Sequence, residues 1–149
     1  MVSAAGPEAR RKLSVEELDR LAHAAQRLFA SIPEVVALYL YGSAARGEAA
    51  RDLDLGVVVA RPVPPATVEA WAATLQAEGA PAGPEIDLRV LSGAAPRFRC
   101  EVLRTGRLLY EADERGRIEF EAAAMSEWLD FRPTWLALRR RMLERWTHG

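Results

Sequence analysis

Three aspartates stand at strand-like positions and are the residues of this chain best suited to chemistry. Asp52 and Asp54 open a run that is otherwise rich in leucine and valine, although aspartate is disfavoured inside strands. Side chains alternate along a strand, so both carboxylates point to one face, where they repel each other unless a cation such as Mg²⁺ binds. Asp87 lies in the strand-like run 85–91. If the two strands pair, it completes the three-carboxylate cluster that a two-metal phosphoryl-transfer site needs.

A glycine and a serine ahead of these acids are suited to hold a phosphate. Gly42 and Ser43 follow the run of strand-forming residues Val35–Tyr41. A glycine at a strand-to-helix turn lets the backbone approach a phosphate closely, and the serine adds a hydroxyl and an N–H. Next to three metal-binding acids, this pair indicates a nucleoside triphosphate as substrate. Arg46 or Arg89 would add positive charge near the phosphates, the alternative being that both are surface ion-pair residues.

Strands that alternate with helices must position these side chains, and this alternation predicts an α/β layer fold. The predicted helices begin at recognisable caps, with Ser14 and Glu17 forming a capping box at the first. The expected elements are a helix from Ser14 that ends by Pro33, a strand over Val35–Tyr41, a short helical turn before Arg51, a strand over 52–60, a helix capped at Thr67, a strand over 85–91, a helix over 95–105, an edge strand over 107–110, and a helix from Asp113 to about Trp146, kinked near Pro133.

The composition is that of a globular chain with balanced charge. Half of the 149 residues are hydrophobic, and 20 basic residues against 21 acidic ones leave a net charge of −1. That balance argues against a nucleic-acid coat protein, so no direct nucleic-acid binding is expected. Cys100 is the only cysteine, which excludes an intramolecular disulfide. No apolar run of membrane-spanning length and no signal-peptide pattern is found, so we expect a cytoplasmic protein without membrane contact.

We expect a flexible lead over 1–13 and a single domain over 14–149 that includes the last helix. Three of the four tryptophans fall in that helix. Its apolar residues have two interpretations, a stripe that faces the core or a surface that binds a partner, either a second copy of the chain or another protein. These residues recur at about seven-residue intervals, at Trp128, Leu129, Trp135, Leu136, Met142, Leu143 and Trp146.

Together these motifs resemble those of the polymerase-β-like nucleotidyltransferases, and among them the minimal nucleotidyltransferases. The segment Gly42-Ser-Ala-Ala-Arg-Gly47 is similar to their glycine–serine loop, and Asp-x-Asp at 52 and 54 precedes a later strand aspartate. Segments 96–111 and 120–133 extend the resemblance to antitoxins of the MntA type, over roughly 35–145. The resemblance implies a small mixed sheet flanked by helices, with a C-terminal helical extension.

The resemblance also implies an activity, which is transfer of AMP from ATP to a tyrosine hydroxyl of a HEPN-family ribonuclease toxin, silencing it. Two other functions fit the same residues: a non-catalytic antitoxin that neutralises by binding, and transfer to a small-molecule hydroxyl. Arg51 stands where the family usually has serine, and the loop before it is tighter. The site that the resemblance implies consists of Asp52 and Asp54 as ligands of two Mg²⁺ ions, Asp87 as ligand of the catalytic ion, and Gly42, Ser43 and Arg46 as triphosphate-binding residues.

Overall fold

A computed structural model describes residues 10–148 of the chain. Helices and strands alternate along it, as the sequence pattern predicts. In chain order the elements are α1 (Val15–Phe29), β1 (Val35–Tyr41), α2 (Gly42–Ala45), β2 (Asp52–Val59), α3 (Pro65–Gly79), β3 (Glu85–Val90), α4 (Pro96–Thr105), β4 (Arg107–Glu111) and α5 (Glu114–Thr147).

A four-stranded mixed sheet in the order β3-β2-β1-β4 forms the centre of the described part of the chain. Strand β1 runs antiparallel to both β2 and β4, whereas β2 and β3 run parallel. Because β2 is antiparallel to β1 and parallel to β3, the end of β1 lies beside the starts of β2 and β3. The predicted α/β class and mixed sheet are confirmed. All three aspartates lie near one end of the sheet, where β1 finishes and β2 and β3 start.

The alternation along β2 divides the core between the two faces of the sheet. Leu53, Leu55 and Val57 point to one face and are buried in the larger cluster with side chains of α1 and α3. On the other face Val58 is buried in a smaller cluster with α4. That second face carries Asp52 and Asp54 nearer the edge. The acids therefore lie on the same face as the smaller apolar cluster, but nearer the start of β2 than the residues that pack in it.

Two helix starts show how the local sequence acts. Ser14 caps α1, where its side chain accepts a hydrogen bond from the backbone N–H of Glu17 while the Glu17 side chain accepts one from the Ser14 N–H, as predicted. Helix α3, in contrast, begins at Pro65, so the prediction that Thr67 caps it is wrong. Proline at the first helical position has a suitable φ and no N–H to leave unpaired, which makes the earlier start favourable.

The last helix follows its predicted bounds, and its exposure decides between the two interpretations of its apolar residues. Asp113 caps it as expected, and the helix continues through Pro133 to Thr147. Its apolar residues do not form a stripe that faces the core, because Leu143 and Trp146 are 57% and 84% exposed. Seven-residue periodicity gives a helix one apolar face without determining what covers that face.

The predicted lead at 1–13 is only partly described. Residues 1–9 lie outside the described residues. Within the rest, Arg11 and Ala50 exchange backbone hydrogen bonds of 3.2 and 2.9 Å. Over residues 10–148, no helix combines the length and the apolar character needed to cross a membrane.

Candidate active site

Strand pairing places two of the three aspartates side by side. In the parallel ladder Asp54 of β2 is the register partner of Asp87 of β3, as the sequence predicts for paired strands. Across the antiparallel ladder, Tyr41 at the end of β1 is the partner of the same Asp54. Asp52 lies two residues earlier on β2, hence on the same face, and is exposed. Tyr41, Asp54 and Asp87 therefore form one short row across three strands, which we call the acidic row.

The ionisation of this row shows that its acids interact. The pKa of Asp54 is raised, first by partial burial and then by the negative charge of Asp87, with a smaller contribution from Asp52. Burial and the Asp54 carboxylate likewise raise the pKa of Tyr41 to about 12. Arg89 acts in the opposite direction on both groups. The site thus holds like charges close together, which is the electrostatic condition that favours binding of a cation.

Gly42 is required for the close approach of β1 to the acids. Its φ of +72° is a left-handed conformation that favours glycine. A Cβ at this position would lie 2.5 Å from Oδ2 of Asp54, which is far too close. The turn therefore passes directly over an aspartate, and Ser43, half-buried in α2, follows it. Glycine and acid lie together as the sequence pattern predicts.

The two arginines that sequence reasoning associated with phosphate each contact an acidic side chain. Arg46 donates from Nε and Nη2 to the two carboxylate oxygens of Glu48, at 3.0 and 3.3 Å. Arg89 donates from Nε and Nη2 to Oδ2 of Asp87, at 3.3 and 3.2 Å. In both cases the alternative interpretation, an ion pair at the surface, describes the contact that is observed.

The donors at this edge fit a hard divalent cation. Carboxylate oxygens are the ligands that Mg²⁺ prefers, and the charges of Asp52 and Asp87 already act on Asp54. Among residues 10–148, however, no three His, Cys, Asp or Glu side chains are gathered closely enough to form a ready metal-binding group. Arg89 holds one of the acids, Asp87, through Oδ2. The donor set is appropriate, while in this structure one of its three acids, Asp87, is held in an ion pair.

Sequence reasoning did not include Tyr41 or Glu48 in the site. Tyr41 follows directly from its register opposite Asp54, which only the strand pairing reveals. Glu48 lies two residues after Arg46, and this short spacing between opposite charges was a visible signal for their ion pair.

The chain belongs to the polymerase-β nucleotidyltransferase family. The family model described as "Polymerase beta, Nucleotidyltransferase" matches residues 24–115, a segment that includes the glycine–serine turn and all three aspartates. A comparison with curated proteins gives no significant match.

Solved structures of toxin–antitoxin complexes share this fold. A chain of the toxin-antitoxin MntA-HpeT mutant is 18% identical at a TM-score of 0.69, over 85% of this chain and 98% of that one. A chain of a toxin-antitoxin structure with AMP-PNP is 21% identical at a TM-score of 0.69, over 82% and 98%. A third, from the tri-AMPylated Shewanella oneidensis HEPN toxin in complex with MNT antitoxin, is 19% identical at 0.64, over 84% and 98%. At these identities the similarity establishes the fold.

Proposed function

We propose that this chain is an antitoxin that transfers AMP from ATP to a tyrosine hydroxyl of a cognate HEPN toxin. The observation that carries the proposal is the row formed by Asp54 and Asp87 beneath the Gly42 turn, within a nucleotidyltransferase family fold. The similar solved structures support the partner and the chemistry, since one contains AMP-PNP and another an AMPylated HEPN toxin.

In the proposed reaction, the tyrosine oxygen forms a bond to the α-phosphorus of ATP as the bond from that phosphorus to the pyrophosphate oxygen breaks. Asp52, Asp54 and Asp87 would hold two Mg²⁺ ions, which activate the attacking oxygen and stabilise the leaving pyrophosphate when bound. The tyrosine loses its proton as it attacks, and Asp87 is suited to assist its removal because it lies within this row.

The glycine–serine turn is proposed to hold the triphosphate. Gly42 carries no side chain, so backbone and phosphate approach each other closely above Asp54. Ser43, the next residue, would offer its hydroxyl and its N–H to the same phosphate group. Arg46 is exposed and must leave Glu48 to contact a phosphate, and its exposed ion pair is weak enough to allow this.

The exposed second half of α5 supports a protein partner. Leu143, Trp146 and Met142, the last of these 61% exposed, form an apolar face of a kind that proteins bury in interfaces. The same region carries a run of arginines at 139–141. We assign this face to the toxin. The alternative occupant is a second copy of the chain, and the mass of the isolated chain in solution tests this alternative. ATP as substrate supports a cytoplasmic location.

The proposal is tested by incubating the chain with α-labelled ATP, Mg²⁺ and the co-expressed toxin. We expect label on the toxin, and none with Asp52→Ala or Asp54→Ala at equal expression. Label that survives both substitutions contradicts the assigned site. Full protection of cells by the variants that transfer no label would favour neutralisation by binding, and label on a small hydroxyl compound but not on the toxin would favour the third function.

A further inference from the structure

Arg89 contacts one of the acids of the site, Asp87, and so competes with a cation for it. It lies two residues after Asp87 on β3 and hence on the same face of the sheet. Its Nε and Nη2 both donate to Asp87 Oδ2, at 3.3 and 3.2 Å. That oxygen is one of the donors that the proposed function assigns to a divalent cation.

The guanidinium of Arg89 acts on more than its ion-pair partner. The pKa of Arg89 is raised first by Tyr41, then by Asp87, and also by Asp54, so its charge lies near the whole row. In return, Arg89 opposes the rise in the pKa of both Tyr41 and Asp54. The positive charge thus partly balances the acids, as a bound cation does.

A guanidinium and a divalent cation repel each other and have the same acceptor here. We propose that Arg89 is an exchangeable counter-ion of the acidic row: it holds Asp87 until a divalent cation binds, and its released guanidinium then contacts the triphosphate. This inference rests on the proposed function, because it presumes that cation and nucleotide bind at this row.

Position and exposure make the exchange feasible. Strand β3 is at an edge of the sheet, so the Arg89 side chain has solvent to move into. The side chains of Arg89 and Asp87 are 60% and 47% exposed, and ion pairs at such exposure contribute little to stability. A cation therefore displaces the arginine at a small cost in affinity. The same mobility brings a planar, bidentate donor to an incoming phosphate group.

The chain contains a closely matched control. Arg27 and Glu78 form an ion pair whose side chains are also 60% and 47% exposed, with 3.5 Å between Nη2 and Oε2. Arg27 belongs to α1 and Glu78 to α3, the helices that pack on the opposite face of the sheet. Replacing either arginine by glutamine removes one positive charge and one exposed ion pair, but only Arg89→Gln frees an acid of the site.

The first measurement is calorimetric titration of the full chain with Mn²⁺ alone. We expect Arg89→Gln to bind Mn²⁺ about two- to fivefold more tightly than the wild type, the factor that corresponds to losing an exposed competing ion pair. Arg27→Gln should bind as the wild type does, and Arg89→Lys should lie between the wild type and Arg89→Gln. Thermal unfolding of the two glutamine variants should be alike, which shows that both are folded.

The second measurement is the affinity for nucleotide, which we expect Arg89→Gln to lower, whereas it raises the affinity for Mn²⁺. With saturating Mg²⁺ and AMP-PNP as the probe, we expect Arg89→Gln to bind the nucleotide about tenfold more weakly, since a charge-assisted contact to phosphate is lost. Equal Mn²⁺ affinity of Arg89→Gln and Arg27→Gln would overturn the counter-ion role, and unchanged AMP-PNP affinity would overturn the exchange. Absence of Mn²⁺ binding by the wild type would contradict the proposed function itself, and this inference with it.

Discussion

At the scale of single residues, Gly42 is needed for its backbone conformation and for the space above Asp54. Gly47 has the same φ of +72°, but a Cβ added there would meet nothing within 4 Å. Comparing the two positions therefore distinguishes the effect of backbone conformation from the effect of lost space. Strain alone applies at Gly47, whereas strain and a clash with an acid of the site both apply at Gly42.

Gly47→Ala is therefore expected to cost about 1 kcal/mol of stability through backbone strain alone. Gly42→Ala should cost more and should also slow AMP transfer by about 100-fold, because it displaces the Asp54 carboxylate. Urea unfolding and initial transfer rates measure the two effects. Equal rates and equal unfolding free energies for the two variants would show that the turn does not contact the acid.

Asp54 is a residue whose ionised form lowers the stability of the fold. Its pKa is raised in the folded chain by burial and by Asp87, so folding disfavours its ionised form. Below the ordinary pKa of the carboxyl group, wild type and Asp54→Asn should be equally stable. As the pH rises through the raised pKa, only the wild type loses stability, and Asp54→Asn becomes the more stable protein.

The measurement is the urea midpoint of both proteins across the acidic and neutral range, with chelator present so that no divalent cation binds. Asp130→Asn, a substitution on α5, controls for the loss of one negative charge. An Asp54→Asn protein that is no more stable than wild type at neutral pH would mean that neither burial nor Asp87 raises the pKa of Asp54 in the folded chain.

At the scale of elements, the two ends of α5 have different environments. Near its start, Glu121 of α5 accepts a hydrogen bond of 2.6 Å from the hydroxyl of Tyr39 on β1, which ties the helix to the sheet. Near its end, Leu143 and Trp146 are exposed. The helix thus extends an apolar surface that residues 10–148 leave exposed.

Leu143→Ala is accordingly expected to change the free energy of unfolding by less than about 0.5 kcal/mol. Leu55→Ala, at a fully buried position of β2, should cost about 2–5 kcal/mol. Urea unfolding of the isolated chain measures both. If Leu143→Ala costs as much as Leu55→Ala, the end of α5 packs within its own domain or between copies of the chain.

The element predictions succeeded where one local signal dominated. The strands over Val35–Tyr41 and from Asp52, and the Ser14 cap, follow from β-forming runs and a capping box. The start of α3 was misplaced because two signals competed, a threonine cap and a proline at the first helical position, and the proline prevailed.

The candidate site was predictable as residue types but not as contacts. Period-two spacing indicated that Asp52 and Asp54 share a face, and the pairing of β2 with β3 brought in Asp87. The register of Tyr41 depends on strand pairing, which spacing along the chain does not encode. The spacing of Asp87 and Arg89 places them on one face, but their contact also depends on the rotamer of Arg89. The exposure of α5 was likewise undetermined, since core-facing and partner-facing helices share one periodicity.

At the scale of the whole molecule, the two faces of the mixed sheet carry different features. The face packed by α1 and α3 holds the larger core, and the other face carries the acidic row at its edge. The described chain has a nucleotidyltransferase family domain and an exposed helix end, so the proposal takes its acceptor hydroxyl from a bound protein.

The proposed AMP transfer is tested most directly by the intact mass of the cognate toxin after incubation with the chain, ATP and Mg²⁺. We expect a toxin heavier by one or more AMP groups with the wild type. We expect an unchanged toxin mass with Asp54→Asn, which keeps the shape of the side chain, loses its charge and is shown to be folded by the urea measurement above. An equally modified toxin in both reactions would mean that the acidic row of this chain does not perform the transfer.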